Sequence, residues 1–66
     1  MNIELRFLQK AIEDKNFISF SYENKNRTKI KPLKLTQNSH IYTLHTQDKL
    51  FEFNKIKKLQ ILKERF

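Results

Sequence analysis

The first segment of the chain repeats apolar residues at steps of three and four positions. Helix-forming residues fill the gaps, so the spacing predicts one amphipathic helix over residues 3–15 with Asn2 as its N-cap. The stripe is expected to pack against the rest of the protein, because so short a chain has little apolar area to spare for a partner. Phe7 lies off the stripe and is the exception. The stripe consists of Ile3, Leu5, Leu8, Ala11 and Ile12.

After Phe17 the period of the pattern changes to two. Apolar and aromatic side chains alternate with serine, which is typical of a strand with one buried face. Because Tyr22 continues this alternation, we expect it to belong to the core rather than to a binding surface. The alternating run is Ile18, Ser19, Phe20, Ser21 and Tyr22.

A change of phase follows at Pro32. The apolar position before it, Ile30, is even-numbered, whereas Leu33 and Leu35 after it are odd-numbered. Since side chains alternate between the two faces of a strand, this change predicts a β-bulge or a barrel corner at the proline.

The remaining segments predict further strands. Residues 41–46 and 50–53 are expected to form a hairpin across TQDK, and the chain from Ile56 onward is expected to form a short solvated turn, with Lys57 and Lys58, and a last strand. The pattern therefore predicts a mainly β protein with one helix and about five strands.

The chain contains no glycine, which is unusual for a protein with many tight turns. Asparagine is the next most tolerant residue for the left-handed backbone conformation. We therefore expect asparagine to replace glycine at the junctions between elements, at Asn16, Asn24, Asn26, Asn38 and Asn54.

Length and composition narrow the class further. The chain has 66 residues, which allow one domain, and it has no cysteine, which excludes disulfides and thiol chemistry. The N-terminal segment carries charges every few residues, so we expect neither a signal peptide nor a membrane span. A cytoplasmic protein that does not bind membranes is expected.

Charge is unevenly distributed along the chain. The net charge is +7, and residues 24–66 hold eleven basic against three acidic residues, whereas residues 1–23 carry −1. A basic segment of this kind attracts polyanions such as nucleic acid. The alternative is that the charge serves only solubility.

The clearest basic motif is KNRTKIK, residues 25–31. Cations occupy every second position, so a regular strand would present them as a row on one face that phosphates could follow. Tyr42 is a candidate aromatic platform for stacking an unpaired base. The row consists of Lys25, Arg27, Lys29 and Lys31.

Catalytic and metal-binding constellations are missing. Glu13 and Asp14 are neighbours in a helix and point in different directions, so they do not form an acid–base pair. His40 and His45 project to opposite faces of the predicted strand without a third ligand. We therefore expect no enzyme activity, no metal and no cofactor.

Four segments together resemble the WYL domain of bacterial transcription regulators and some CRISPR-associated proteins. The resemblance runs from about Leu8 to Phe66 and implies a small five-stranded Sm-like, SH3-type barrel that senses ligands, with nucleic acid or nucleotides as the ligand class. The segments are LQKAIEDKNFISFSY, KIKPLKL, HIYTL and LFEFNKIKKLQIL.

The resemblance also implies particular site residues. Tyr42 matches the tyrosine of the motif that names the family, although Ile41 and Thr43 replace its tryptophan and leucine. Lys55 stands where the family generally has arginine, and Arg27 approximately matches a basic residue ahead of the proline strand.

A further departure concerns Glu52, which stands where the family commonly has a basic residue. The replacement of arginine by Lys55 keeps the charge but loses the planar fork that grips a phosphate in two places. The resemblance therefore implies an altered ligand preference.

These observations predict a non-enzymatic binding module. Its basic face is expected to bind single-stranded nucleic acid or a nucleotide-like anion and to transmit occupancy to a partner polypeptide. That partner is expected to carry the DNA-binding or effector function, because one helix ahead of a barrel offers no recognition helix. The alternative is a protein-interaction module that forms a homodimer or docks on an acidic protein, favoured by apolar surface on Phe7, Ile41 and Phe66.

Overall fold

A computed structural model describes residues 3–66, which form a mainly β structure with one N-terminal helix. The predicted N-cap, Asn2, lies outside the described residues. A single turn of 3-10 helix, Phe53–Lys55, joins the last two strands. The helix is α1 (Ile3–Asp14), and the strands are β1 (Asn16–Tyr22), β2 (Lys25–Ile30), β3 (Pro32–Asn38), β4 (Ile41–Thr46), β5 (Leu50–Glu52) and β6 (Ile56–Arg65).

Helix α1 packs the middle of its predicted stripe inward, whereas Ile3 at its start is 63% exposed. Leu8 and Ala11 are buried, and the helix contacts β1, β3 and β6. Phe7, the predicted exception, is 54% exposed. No helix within residues 3–66 is long and apolar enough to cross a bilayer.

The strands form two antiparallel sheets of three strands each. The first sheet has the order β2-β1-β6 and the second has the order β3-β4-β5. The predicted closed barrel is not observed within residues 3–66, and six strands are present instead of about five. Only Lys31 separates β2 from β3, so the chain passes between the sheets at this residue. The proline that follows has no N–H to continue a ladder.

Bulges interrupt the pairing where the chain changes direction. The register between β3 and β4 shifts between Pro32 and Lys34, which confirms the bulge predicted at the proline. A second shift lies in β2, where Ile18 pairs with Ile30 but Phe20 pairs with Arg27. The extra residue in β2 bends this edge strand and ends its simple alternation.

The core is built around Phe51, which is 2% exposed. The rings of Phe20 and Tyr22 meet it edge-on, with centroids at 5.1 and 4.9 Å. The Tyr22 hydroxyl accepts a hydrogen bond from the backbone N–H of Glu52 at 3.2 Å, so the prediction that Tyr22 belongs to the core is confirmed. The other buried apolar residues are Leu8, Ala11, Ile18 and Leu44.

Left-handed backbone conformations are spread over several residue types. Among the five asparagines proposed for this role, only Asn24 has a positive φ, so the prediction is wrong at the other four. Strand pairing, and not residue type, sets the conformation at the first turn: the pairing of Tyr22 with Lys25 leaves Glu23 and Asn24 as a two-residue turn that needs positive φ at both positions. The residues with positive φ are Lys15, Glu23, Asn24, Lys29, Ser39 and Lys58.

The end of α1 offers a direct test of this backbone strain. Lys15 has a φ of 58°, and its carbonyl accepts a hydrogen bond from the N–H of Phe66 at 2.9 Å. Lys15→Gly is expected to raise the free energy of unfolding by about 1 kcal/mol, because the left-handed conformation costs a residue with a Cβ about 1–2 kcal/mol. Urea denaturation measures the change.

The matched control is Gln9→Gly, in the exposed middle of the same helix. It should lower the free energy of unfolding by about 1 kcal/mol, because glycine is a poor helix former. Destabilisation by both substitutions would contradict a left-handed helix end at Lys15.

Candidate nucleic-acid interface

A polar row crosses the outer face of the first sheet. Ser21 pairs with Asn26 on β2 and with Lys57 on β6, and paired residues of antiparallel strands share a face. Because buried Ile18 and Phe20 point inward from β1, Ser19 and Ser21, which alternate with them, point outward. Amide, hydroxyl and ammonium groups therefore lie side by side across three strands.

Two shallow grooves of about 230 and 410 Å³ adjoin on this face, and both are lined by Ser21. We call the surface around them the Ser21 face. Glu23 is the single carboxylate among the described residues that line it. Its polar and charged lining residues are Ser19, Ser21, Glu23, Asn24, Asn26, Arg27, Thr28, Asn54, Lys55, Lys57, Lys58 and Gln60.

The Ser21 face carries uncompensated positive charge. Lys57 and Lys58 are exposed and make no ion pair within residues 3–66, whereas Lys55 lies 3.8 Å from a carboxylate oxygen of Glu52. That pair is exposed and contributes little to stability. The Ser21 face therefore combines unpaired cations with hydrogen-bonding groups that suit phosphate and sugar oxygens.

The predicted basic row does not continue along one face. Lys25 and Arg27 pair with inward-facing residues of β1, and the bulge at Lys29, whose φ is 53°, ends the alternation. Lys29 lies 3.3 Å from Glu64 in an exposed ion pair. Lys31 lies outside β2, so the four cations are divided among different surroundings.

Arg27 is partly buried on the core side of β2. Its guanidinium carbon lies 5.2 Å from the centroid of the Phe51 ring, and its buried Nε has no hydrogen-bond partner in residues 3–66. The Nζ of Lys49 lies 5.5 Å from the same centroid. Periodicity singled out Arg27 but not Lys49, because Lys49 belongs to a loop that the fold brings to this ring.

Tyr42 lies in the second sheet, away from the basic residues of β2. It is partly buried, pairs with Gln37 on β3 and shares the core side of β4 with Leu44. Strand β4 contacts the 3-10 turn that carries Lys55, so Tyr42 and Lys55 lie on neighbouring elements. Of the residues implied by the family resemblance, these two are the ones on adjacent elements.

An aromatic pair lies at the start of β1. The rings of Phe17 and Phe66 are 5.4 Å apart, and the Nζ of Lys31 lies 5.8 Å from the Phe66 ring. Phe66 is 37% exposed. An exposed ring beside a cation is an arrangement that can stack a base and neutralise its phosphate.

Two lysines of the Ser21 face were assigned to the wrong element. Lys57 and Lys58 were predicted in a solvated turn, but they lie on β6, which begins at Ile56. The bulge at Lys58, where φ is 55°, interrupts the alternation that would have identified the strand. In the sequence, the positive charge of Lys57 and Lys58 was the one feature that pointed to a role in binding.

The histidines do not assemble a metal site. His45 forms a hydrogen bond with the Thr36 hydroxyl at 2.9 Å, and His40 is exposed in the turn between β3 and β4. Within residues 3–66 there is no group of three histidine, aspartate or glutamate residues positioned to hold an ion.

No protein-family model, curated protein or solved structure matches the chain. The geometry of the site is therefore the basis for the functional argument.

The different surroundings of the two tyrosines can be tested by removing each hydroxyl. Tyr22→Phe is expected to lower the free energy of unfolding by about 1–2 kcal/mol, because it leaves the partly buried N–H of Glu52 without its acceptor. Thermal or urea denaturation measures the loss. Tyr42→Phe is the control and should change stability by less than about 0.5 kcal/mol. Equal losses would contradict the structural role of the Tyr22 hydroxyl.

Proposed function

We propose that this protein is a non-enzymatic binding module of WYL type that binds single-stranded nucleic acid or a nucleotide-like anion. In this proposal the ligand lies on the Ser21 face, and occupancy is transmitted to a partner polypeptide that carries a DNA-binding or effector function. The observation that carries the proposal is the row of Asn26, Ser21 and Lys57 beside the unpaired Lys58.

The order of elements supports the finer fold assignment. Strands β2 and β3 are separated by one residue, and together they amount to one bent strand. Counted in this way, a helix and five strands follow one another, with a 3-10 turn before the last. This is the order implied by an Sm-like, SH3-type barrel.

Electrostatics favour a phosphate-bearing ligand over a neutral one. Each lysine that meets a phosphate releases condensed counterions, which makes binding favourable at low salt. The outer hydroxyls and amides supply hydrogen bonds without sequence selectivity. A ligand on this face would be held mainly through its backbone.

The aromatic residues favour an unpaired strand over a duplex. Tyr42 lies on an element next to the one that carries Lys55, and Phe66 lies near the start of β1, beside Lys31. Such rings can stack only bases that are not already paired. Within residues 3–66, α1 packs against both sheets and is not presented as a helix that reads a groove.

The first test is the salt dependence of binding to labelled oligothymidylate, measured by fluorescence anisotropy. Lys57→Gln/Lys58→Gln should weaken binding and reduce the slope of log affinity against log salt by about 1.4, since each phosphate contact with a single strand contributes about 0.7. Duplex DNA of the same length should bind more weakly.

The matched control is Lys10→Gln/Lys34→Gln, which removes the same charge from surfaces outside the Ser21 face. Its salt slope should equal that of the natural protein.

Tyr42→Ala should weaken single-strand binding by roughly tenfold with no change of slope, because stacking contributes about 1–3 kcal/mol per base. The proposal fails if both double variants reduce the slope equally or if duplex binds as well as single strand.

A second candidate function is protein interaction, favoured by apolar surface. Phe7, Ile41 and Phe66 are 54%, 50% and 37% exposed. A groove of about 450 Å³ between α1 and β6 is lined by Phe7, Ala11, Leu59 and Ile61 among others. A homodimer or an acidic partner could cover these side chains.

Sedimentation velocity distinguishes this candidate. If the apolar groove forms a homodimer, the protein should sediment as a dimer at both low and high salt, and Phe7→Ser should make it monomeric. Leu33→Ser is the control, because Leu33 is also exposed but does not line the groove. A monomer at all concentrations tested would exclude the dimer.

A further inference from the structure

Two cations approach one buried ring from different elements of the fold. Arg27 comes from edge strand β2, with its guanidinium carbon 5.2 Å from the centroid of Phe51. Lys49 comes from the loop between β4 and β5, with its Nζ 5.5 Å from the same centroid. We call these residues the Arg27–Lys49 pair.

The charges of the Arg27–Lys49 pair are not neutralised. Neither residue forms an ion pair within residues 3–66, and Asp48, the neighbouring carboxylate in the loop, pairs with neither. The Nε of Arg27 is buried and has no hydrogen-bond acceptor among the residues that the structure describes. A buried donor without an acceptor is uncommon in folded proteins and calls for an explanation.

The loop that carries Lys49 is held in place by hydrogen bonds. The Thr46 hydroxyl donates to the carbonyl of Lys49 at 2.7 Å and accepts from its N–H at 3.2 Å. The side-chain oxygen of Gln47 accepts from the N–H of Lys31 at 2.9 Å. The loop is therefore tied to the corner between β2 and β3, which fixes Lys49 relative to the strand of Arg27.

We propose that the Arg27–Lys49 pair is a binding site for a phosphoryl group. A phosphate offers several acceptor oxygens and up to two negative charges, so in this proposal one group accepts hydrogen bonds from Lys49 and from the outer nitrogens of the Arg27 guanidinium. A carboxylate carries one charge and matches the pair less well. A neutral ligand leaves both charges uncompensated.

The proposed site adjoins the Ser21 face, because Arg27 also lines one of the two grooves of that face. Arg27 pairs with inward-facing Phe20, whereas Asn26 and Ser21 point outward from the same sheet. The inference rests on the proposed function and deepens it, because it names the chemical group of the ligand that Arg27 and Lys49 would hold. The phosphoryl group could belong to a free nucleotide or to the end of a strand.

The test uses AMP and adenosine as probes, titrated into the full chain by isothermal titration calorimetry. AMP should bind and adenosine should not. Lys49→Gln should weaken AMP binding by about tenfold, the order expected when one charge-assisted contact is lost. The matched control is Lys25→Gln, which removes an exposed cation from the strand of Arg27 and should change AMP affinity less than about twofold.

A second variant tests the guanidinium itself. Arg27→Lys keeps the charge and removes the planar fork, so it should also weaken AMP binding by about tenfold. Lys49 is exposed in a loop, so Lys49→Gln keeps the proposal testable if Arg27→Lys fails to fold by circular dichroism. Equal losses for Lys25→Gln and Lys49→Gln would indicate diffuse attraction and overturn the site.

Two further comparisons separate this site from the Ser21 face. Lys57→Gln/Lys58→Gln should weaken AMP binding less than Lys49→Gln does, and an equal loss would overturn the proposal. Failure of AMP to bind, with oligothymidylate binding intact, overturns the Arg27–Lys49 site alone. If a 5′-phosphorylated oligonucleotide binds more tightly than its 5′-hydroxyl form, and Lys49→Gln removes this difference, the phosphoryl group comes from the end of a strand. If AMP binds more tightly than the phosphorylated oligonucleotide, the phosphoryl group comes from a free nucleotide.

Discussion

Packing around the Phe51 ring holds the two sheets together. No closed hydrogen-bonded ladder joins the sheets within residues 3–66, so side chains must provide the connection. Phe20 and Tyr22 reach the ring edge-on from the first sheet, and the Tyr22 hydroxyl accepts the N–H of Glu52 at its side. The Arg27–Lys49 pair lies against the same ring, so its geometry depends on this packing.

Periodicity was sufficient to locate most elements but not to assemble them. The helix predicted over residues 3–15 ends one residue earlier, and the hairpin of β4 and β5 agrees closely with its prediction, because both have a regular apolar pattern. The sheets could not be derived in the same way. Their registers depend on bulges at Lys29 and Lys58, where lysine occupies a left-handed conformation that its residue type does not signal.

For the candidate site, the sequence predicted the charge of the residues but not their arrangement in space. The excess of cations after residue 24 was evident from the sequence. The sequence did not show which cations share a surface, because a single extra residue in β2 separates members of the apparently regular basic row of residues 25–31. Lys49 could be related to Arg27 only through the folded position of Phe51.

The lysines of β6 also bear on strand pairing between copies of the protein. Strand β6 is ten residues long and forms one edge of the first sheet, where unpaired backbone groups can recruit another strand. Lys57, Lys58 and Lys63 place like charges along this edge, so a second copy meets electrostatic repulsion before its backbone can pair. A polyanion bound there would cancel that repulsion, and occupancy of the face and the tendency of the chain to aggregate would then be coupled.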